Sequence, residues 1–217
     1  MKTNSALQQD VIDELSYEPS LDAMNIRVVA NDGIITLTGT VKSYSDRYAA
    51  EHVTERVAGV KAVADETKVD LPSLHKRSDQ DIAAAALNAM SWNMLVPAGA
   101  IQVRVDAGWV MLDGTVDYNF QRTAAENAVR HLTGVTGFNN LITLKPTVSA
   151  SGMKEKIESA FRRAADVDAK HIGLKVTGNK VVLSGNVSSF TERREAEHAA
   201  WSAPGVWQVE NDLRVTV

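Results

Sequence analysis

Cysteine is missing from all 217 residues. Disulfides, thiolate nucleophiles and zinc sites built on cysteine are therefore excluded, while the compartment stays open, since cytosolic and periplasmic proteins can both lack it. Long apolar runs are missing too. No segment approaches the roughly 18 consecutive apolar residues of a membrane span. The opening Met1-Lys2-Thr3-Asn4-Ser5-Ala6-Leu7 has none of the apolar stretch of a secretory signal. The expectation is a cytoplasmic chain, or a periplasmic one if Met1 is not the natural start. Excess basic charge is absent as well: the net charge is −4, against the clustered positive surface that a nucleic-acid partner requires, so none is expected. What remains, 44% apolar and 23% charged residues, is the ordinary make-up of a folded globular chain.

Internal repetition is the dominant positive signal, and it is read before any local pattern. Thr38-Gly39-Thr40-Val41 recurs as Asp113-Gly114-Thr115-Val116 and as Ser184-Gly185-Asn186-Val187. With those offsets held fixed, the copies align without a gap from Ile26, Ile101 and Ile172 to Leu71, Pro146 and Val217. Ile35/Val110/Val181, Arg47/Arg122/Arg193 and Gly59/Gly134/Gly205 fall in register.

Each copy reads as α-β-β-α-β. The first helix carries an apolar stripe at three-to-four-residue spacing: Leu7, Val11 and Leu15, then Ile82, Ala86 and Met90, then Met153, Ile157, Phe161 and Ala164. Two strands of alternating pattern follow, joined at Asn31-Asp32-Gly33, Asp106-Ala107-Gly108 and Thr177-Gly178-Asn179, sequences suited to a tight turn at positive φ. The second helix presents Ala50/Val53/Val57, Ala125/Ala128/Leu132 and Ala196/Ala199/Ala203. Ser189-Phe190-Thr191-Glu192 fits a capping box at its start. Gly59, Gly134 and Gly205 are read as its left-handed C′ residues, and Gly39, Gly114 and Gly185 as further structural turn positions. A last strand closes each unit. The expected fold class is α+β, in three tandem modules at residues 1–71, 79–146 and 151–217. In each, two helices cover one face of a three-stranded sheet. Domains this small bury only about 60% of their unfolded surface, so neighbours are expected to support one another. The linkers at residues 72–78 and 146–152 are short enough to restrict orientation.

The run Asp32-Gly33-Ile34-Ile35-Thr36-Leu37-Thr38-Gly39-Thr40-Val41 resembles the signature hairpin of the BON-domain family (bacterial OsmY and nodulation). The ending Ala203-Pro204-Gly205-Val206-Trp207-Gln208-Val209-Glu210-Asn211-Asp212-Leu213 resembles that family's second helix-to-strand turn. The likeness covers nearly the whole chain, three times over. It implies the αββαβ fold, no catalytic centre and no cofactor, association with phospholipid or envelope surfaces, and a link to osmotic stress.

The chemistry-bearing residues agree with that expectation. Of five histidines, His52 and His198 are equivalent, with Asn127 in copy two; beside Glu51, Glu126 and Glu197 they read as a solvated helix face rather than a metal site. There is no His-Glu-x-x-His, EF-hand loop, Walker A loop or Gly-x-Ser-x-Gly elbow, and no enzyme is expected. Arg47, Arg122, Arg193 and Arg194 are candidates for contact with lipid head groups, since a guanidinium fork suits phosphate. The alternative is pairing with Asp46 or Glu51, or packing along their own sheet edge. Copy three, with 10 Lys and Arg against 9 Asp and Glu, is the best placed for an anionic partner, each basic residue near such a surface contributing about 1 kcal/mol.

Two apolar features stand apart. Alternation turns Trp109 and Met111, with Leu141, away from the helices, forming an uncovered patch of the kind that marks an interface unless another module covers it. The segment Trp92-Asn93-Met94-Leu95-Val96 suits a water–lipid boundary, unless Trp92 and Val96 close the end of the core as Tyr17 and Leu21 are expected to do. Two functions follow: an array binding anionic phospholipid or envelope-associated partners, or a scaffold that self-associates into homo-oligomers through its sheet faces.

Overall fold

A computed structural model describes residues 2–145, 152–164, 167–168 and 170–216. The first module runs α1 (Asn4–Tyr17), β1 (Ile26–Asn31), β2 (Ile34–Val41), α2 (Tyr44–Glu55), β3 (Ala62–Asp65) and β4 (Lys68–Val69). The second runs α3 (Asp79–Ser91), β5 (Ile101–Asp106), β6 (Trp109–Val116), α4 (Asn119–Arg130) and β7 (Gly137–Leu144). The third runs α5 (Met153–Arg163), β8 (Ile172–Thr177), β9 (Lys180–Val187), α6 (Phe190–Trp201) and β10 (Gln208–Val215). This is the expected α+β class, in three αββαβ copies. The linker at 146–152 lies, up to residue 151, outside the described residues.

In every module the hairpin strands pair antiparallel, and the last strand pairs parallel to the second, which is central. The parallel pair follows from the second helix, since a strand can return in the same direction only through a crossover. The third strand of module one is broken at Glu66 and Thr67. There Asp65 Oδ1 accepts from Thr67 N at 2.9 Å and from its hydroxyl at 2.6 Å, pulling the chain out of the ladder between β3 and β4.

Local chemistry fixes the ends. Asp32 and Gly33 have φ of 50° and 88°, and Ala107 and Gly108 have 49° and 80°, the paired positive values of a two-residue hairpin turn. The start of the first helix grips that turn. Asn4 Oδ1 accepts from Asp32 N at 2.9 Å, and the Asp79 carboxylate from Ala107 N and Gly108 N at 2.9 and 2.8 Å. Gly39, Gly114 and Gly185 lie inside the second strand rather than in a turn. A Cβ there would stand 2.0 to 2.2 Å from the carbonyl oxygens of Asn25, Ala100 and His171, so the chain entering the first strand passes too close for any side chain. Gly59, Gly134 and Gly205 are at positive φ but beyond the helix, because a tight turn intervenes in which Val57, Leu132 and Ala203 donate back to Thr54, Val129 and Ala200.

The first-helix stripes are buried as expected, with Ala164 just past the helix end and half-buried. The second-helix stripes are broader than an i, i+3, i+7 reading allows. Ala50, Val53, Ala125, Ala196 and Ala203 are buried, while Val57, Ala128, Leu132 and Ala199 are half-buried, and the equivalent trio Thr54, Val129 and Ala200 joins the core. A helix packed against both a sheet and a neighbouring module needs an apolar arc wider than one stripe. The buried residues of modules one and three form one continuous cluster. Module two has its own, against which Tyr44 of module one and Trp201 of module three pack.

Candidate functional site

The three second helices meet one another through a few side-chain contacts. Aligned across copies, Tyr48, Thr123 and Arg194 are equivalent, as are Glu55, Arg130 and Trp201. The first set faces the second around a closed ring. Tyr48 of module one stacks with Arg130 of module two, its ring centroid 3.6 Å from the guanidinium carbon, and Ser45 Oγ stands 2.9 Å from His131 Nδ1 beside it. Thr123 of module two and Trp201 of module three line one crevice, where Arg122 lies 4.7 Å above the indole. Arg194 of module three returns to Glu55 of module one at 3.4 Å. Each joint uses one end of a helix against the other end of the next, a head-to-tail contact that closes after three copies.

The outer faces of α2, α4 and α6 are consequently not all solvated, and the histidine reading is corrected at one position. His52 stacks on Tyr48 at 3.9 Å, its Nδ1 is buried without a hydrogen-bond partner, and burial together with Arg194 and Arg130 pushes its imidazole down to about 4. Asn127 and His198 stay exposed. Burial also raises Glu51, helped by the negative charge of Asp65, and raises Glu55. The same helix-to-strand link is a neutral–charged hydrogen bond in the other copies: Asn140 donates to Glu126 at 3.1 Å and Asn211 to Glu197 at 2.8 Å. Only module one places two carboxyl groups there, and Arg47 offsets them, bonding the Asp65 carboxylate at 2.9 Å. Among the described residues no cluster of three metal-ligating side chains occurs.

Of the arginines, Arg47 binds the Asp65 side chain and carbonyl. Arg193 donates to the carbonyls of Leu213 and Asn211 at 3.2 and 3.0 Å. These contacts explain a cation in the first turn of a helix, where the dipole disfavours one: each ties its helix to the last strand of its own module. Arg122 is spent on Trp201, and Arg194 pairs with Glu55 while staying exposed.

The outer sheet faces are not covered by neighbouring modules. Trp109 is 43% and Leu141 45% exposed, and Met111 is half-buried. Trp109 lies over Gly137, where a Cβ would meet its ring at 2.0 Å. Leu141 is paired with Asp113, two residues further along, and Arg104 reaches the Met111 sulfur at 3.2 Å, so polar groups break the patch into pieces. On the loop after α3, Val96 packs on the core, as Leu21 does in module one. Trp92 does not: it is 84% exposed, and Tyr17 at its equivalent place 85%, with Met94 and Leu95 beside Trp92 exposed as well. The core end is closed by the later residue of each pair.

The crevice between modules two and three, about 790 Å³, is bordered by Leu95, Tyr118, Phe120, Trp201 and Val206. Periodicity does not flag it, but the aligned copies do. Ser43 and Ser189 cap their helices by accepting from Asp46 N and Glu192 N at 3.0 and 3.1 Å. Module two has Tyr118 there, with no side-chain cap, and keeps only the bonds that Gln121 Oε1 accepts from Asp117 N and Tyr118 N at 3.0 Å each, the first of which Glu192 also makes, to Ser188 N, in module three.

A family model described as BON domain matches residues 3–70, 78–146 and 149–217. The chain is 27% identical over 148 residues to the osmotically-inducible protein Y of Escherichia coli K12, covering 65% of this chain and 73% of that protein. Among solved structures, the C-terminal domain of CdsD, a structural protein of the type III secretion system of Chlamydia trachomatis, is 14% identical with a TM-score of 0.27, each chain covered in full. A second CdsD structure is 17% identical with a TM-score of 0.25 over 94% of this chain and 90% of that one. Likeness at that level carries no argument about function.

Proposed function

This chain belongs to the BON-domain family, three modules in tandem, and on that footing we propose a non-catalytic binding protein that attaches to anionic phospholipid surfaces or envelope-associated partners during osmotic stress. The non-catalytic part leans on the family, and the osmotic part on the likeness to the osmotically-inducible protein of Escherichia coli. One observation carries the membrane part: Trp92, Met94 and Leu95 stand together in water on a single loop. Burying one such side chain gains about 1.5–3 kcal/mol, and an indole favours the boundary where one end is apolar and the other wet. All four arginines proposed for head-group contact have partners within the fold; Arg194, exposed and tied only to Glu55 at 3.4 Å, is the one most easily released.

Sedimentation with phosphatidylglycerol vesicles tests this. The wild-type chain should co-sediment, more strongly at low salt, and Trp92→Ser with Met94→Ser should release most of the bound fraction. Undiminished binding by that double variant contradicts the reading. A second reading, self-association as a scaffold, is favoured by the uncovered Trp109 and Leu141. It expects a concentration-dependent dimer in sedimentation velocity that Trp109→Lys abolishes.

A further inference from the structure

The outer strands of a sheet present unpaired main-chain groups, and a bare edge invites pairing with another chain unless charged side chains guard it. The outer strands here are guarded, with one exception. Arg27 stands on β1, Asp65 on β3, Lys68 on β4, Arg104 on β5, Lys175 on β8 and Arg214 on β10. The strand β7, Gly-Phe-Asn-Asn-Leu-Ile-Thr-Leu, carries no charge at all. Its main chain is bare as well. In module three Arg193 donates to the carbonyls of Asn211 and Leu213, and in module one Arg47 donates to that of Asp65. The equivalents in module two are the carbonyls of Asn140 and Ile142, but the equivalent donor, Arg122, lies 4.7 Å above Trp201 instead. Lys145 N donates inward to Val116 O, and main-chain groups alternate in direction along a paired strand, so those of Ile142 and Leu144 turn outward. Ile142 N is bonded to Asn140 Oδ1 at 3.1 Å. Left without a partner among the described residues are Leu144 N and the carbonyls of Asn140 and Ile142. β7 packs chiefly on β6 and α4 of its own module.

We propose that the outer edge of β7 pairs antiparallel with β7 of a second copy of this chain, joining the two module-two sheets edge to edge. This rests on the self-association reading above and deepens it, moving the contact from the sheet face to the sheet edge. A strand without charge meets its own copy without repulsion, and a two-fold axis lets one patch serve both partners. Main-chain hydrogen bonds then supply the contact, as in other cases of strand addition. Centred on Ile142, the pairing sets Leu144 N of each copy against the partner's Asn140 carbonyl. It also sets Leu141, 45% exposed, beside the partner's Thr143 on the outer face, where cross-strand neighbours interact. The edges of modules one and three are closed to the same pairing by Arg47 and Arg193 and by their own charged residues.

Sedimentation velocity of the full chain over a range of concentrations, with amide hydrogen exchange followed by NMR, tests the proposal. A dimer is expected, in which the Leu144 amide exchanges more slowly than in the monomer by roughly tenfold or more. Leu141→Lys with Thr143→Lys, both exposed positions, sets lysine against lysine across the axis and should weaken the dimer by roughly tenfold or more. Leu141→Glu with Thr143→Glu should do the same, and an equal mixture of the two variants should dimerise again. A chain that stays monomeric overturns the edge and the self-association reading together. A dimer that survives the lysines in a folded variant, leaves Leu144 exchange unchanged, or is not restored by mixing overturns the edge alone, and its loss on Trp109→Lys would then assign the contact to the sheet face.

Discussion

The joint between modules one and two and the joint between modules two and three occupy equivalent places, yet one is filled and the other is open. In the first, Tyr48 covers the Arg130 guanidinium, Tyr44 packs on the core of module two, and the Arg130 side chain is only 8% exposed. In the second, Asn119 and Thr123 stand where those tyrosines would be, and Trp201, which packs on the core of module two and carries the Arg122 guanidinium at 4.7 Å, borders an open crevice. A repeated backbone thus fixes where modules touch, while the residues at two positions decide whether the contact is filled or leaves a crevice.

Substitutions that unbalance this contrast should differ in size. Arg130→Ala removes a nearly buried cation from Glu126 and from Tyr48, and breaking such a pair should cost about 2–4 kcal/mol in denaturant unfolding. Trp201→Ala, at the open joint, forfeits a half-buried ring and one cation–π contact, about 1–2 kcal/mol. A cost equal to that of Arg130→Ala would deny that the two joints differ. Ser43→Ala should lose about 1 kcal/mol with its helix cap, whereas Tyr118→Ser, installing the missing cap, should gain up to about 1 kcal/mol in thermal unfolding.

The smallest effect at neutral pH, and one that grows on acidification, belongs to His52. In the fold its imidazole is held at about 4, against about 6.5 in the unfolded chain. The unfolded chain takes the proton first as pH falls, so the stability contributed by neutral His52 is whole above pH 6.5 and is lost between about 6.5 and 4. Glu51 and Glu55, raised by burial, act oppositely, since the fold then protonates them more readily than the unfolded chain does. His52→Asn, copying Asn127, isolates the term. Its offset from wild type in melting temperature should be constant at high pH and move in the variant's favour as pH drops from 6.5 to 4.

The sequence made the modules legible because their signals are local and written three times: stripes at Leu7/Val11/Leu15, turns at Asp32-Gly33, glycines too crowded for a Cβ. The ring was not legible. Tyr48, Arg130, Glu55 and Trp201 lie off the sheet-facing stripe, and because each joint is head-to-tail the paired positions share no chemistry: tyrosine on arginine, threonine by tryptophan, arginine on glutamate. The burial of Thr54, Val129 and Ala200 was a signal that a second packing surface existed, visible only as an arc too wide for one sheet. Trp92 illustrates the reverse failure, since an apolar residue at a core end is usually packed, and here its neighbour Val96 takes that role.

Closure of the ring is tested most directly where chain connectivity gives no help, between modules one and three. The chain has no cysteine, so Glu55→Cys together with Arg194→Cys introduces a single pair of thiols at the closing contact. A short bismaleimide should link them within one molecule at high dilution, and moving one thiol to the exposed Lys175 of β8 should abolish the link. Failure to link, or linkage only between molecules, would mean that the second helices do not close a ring.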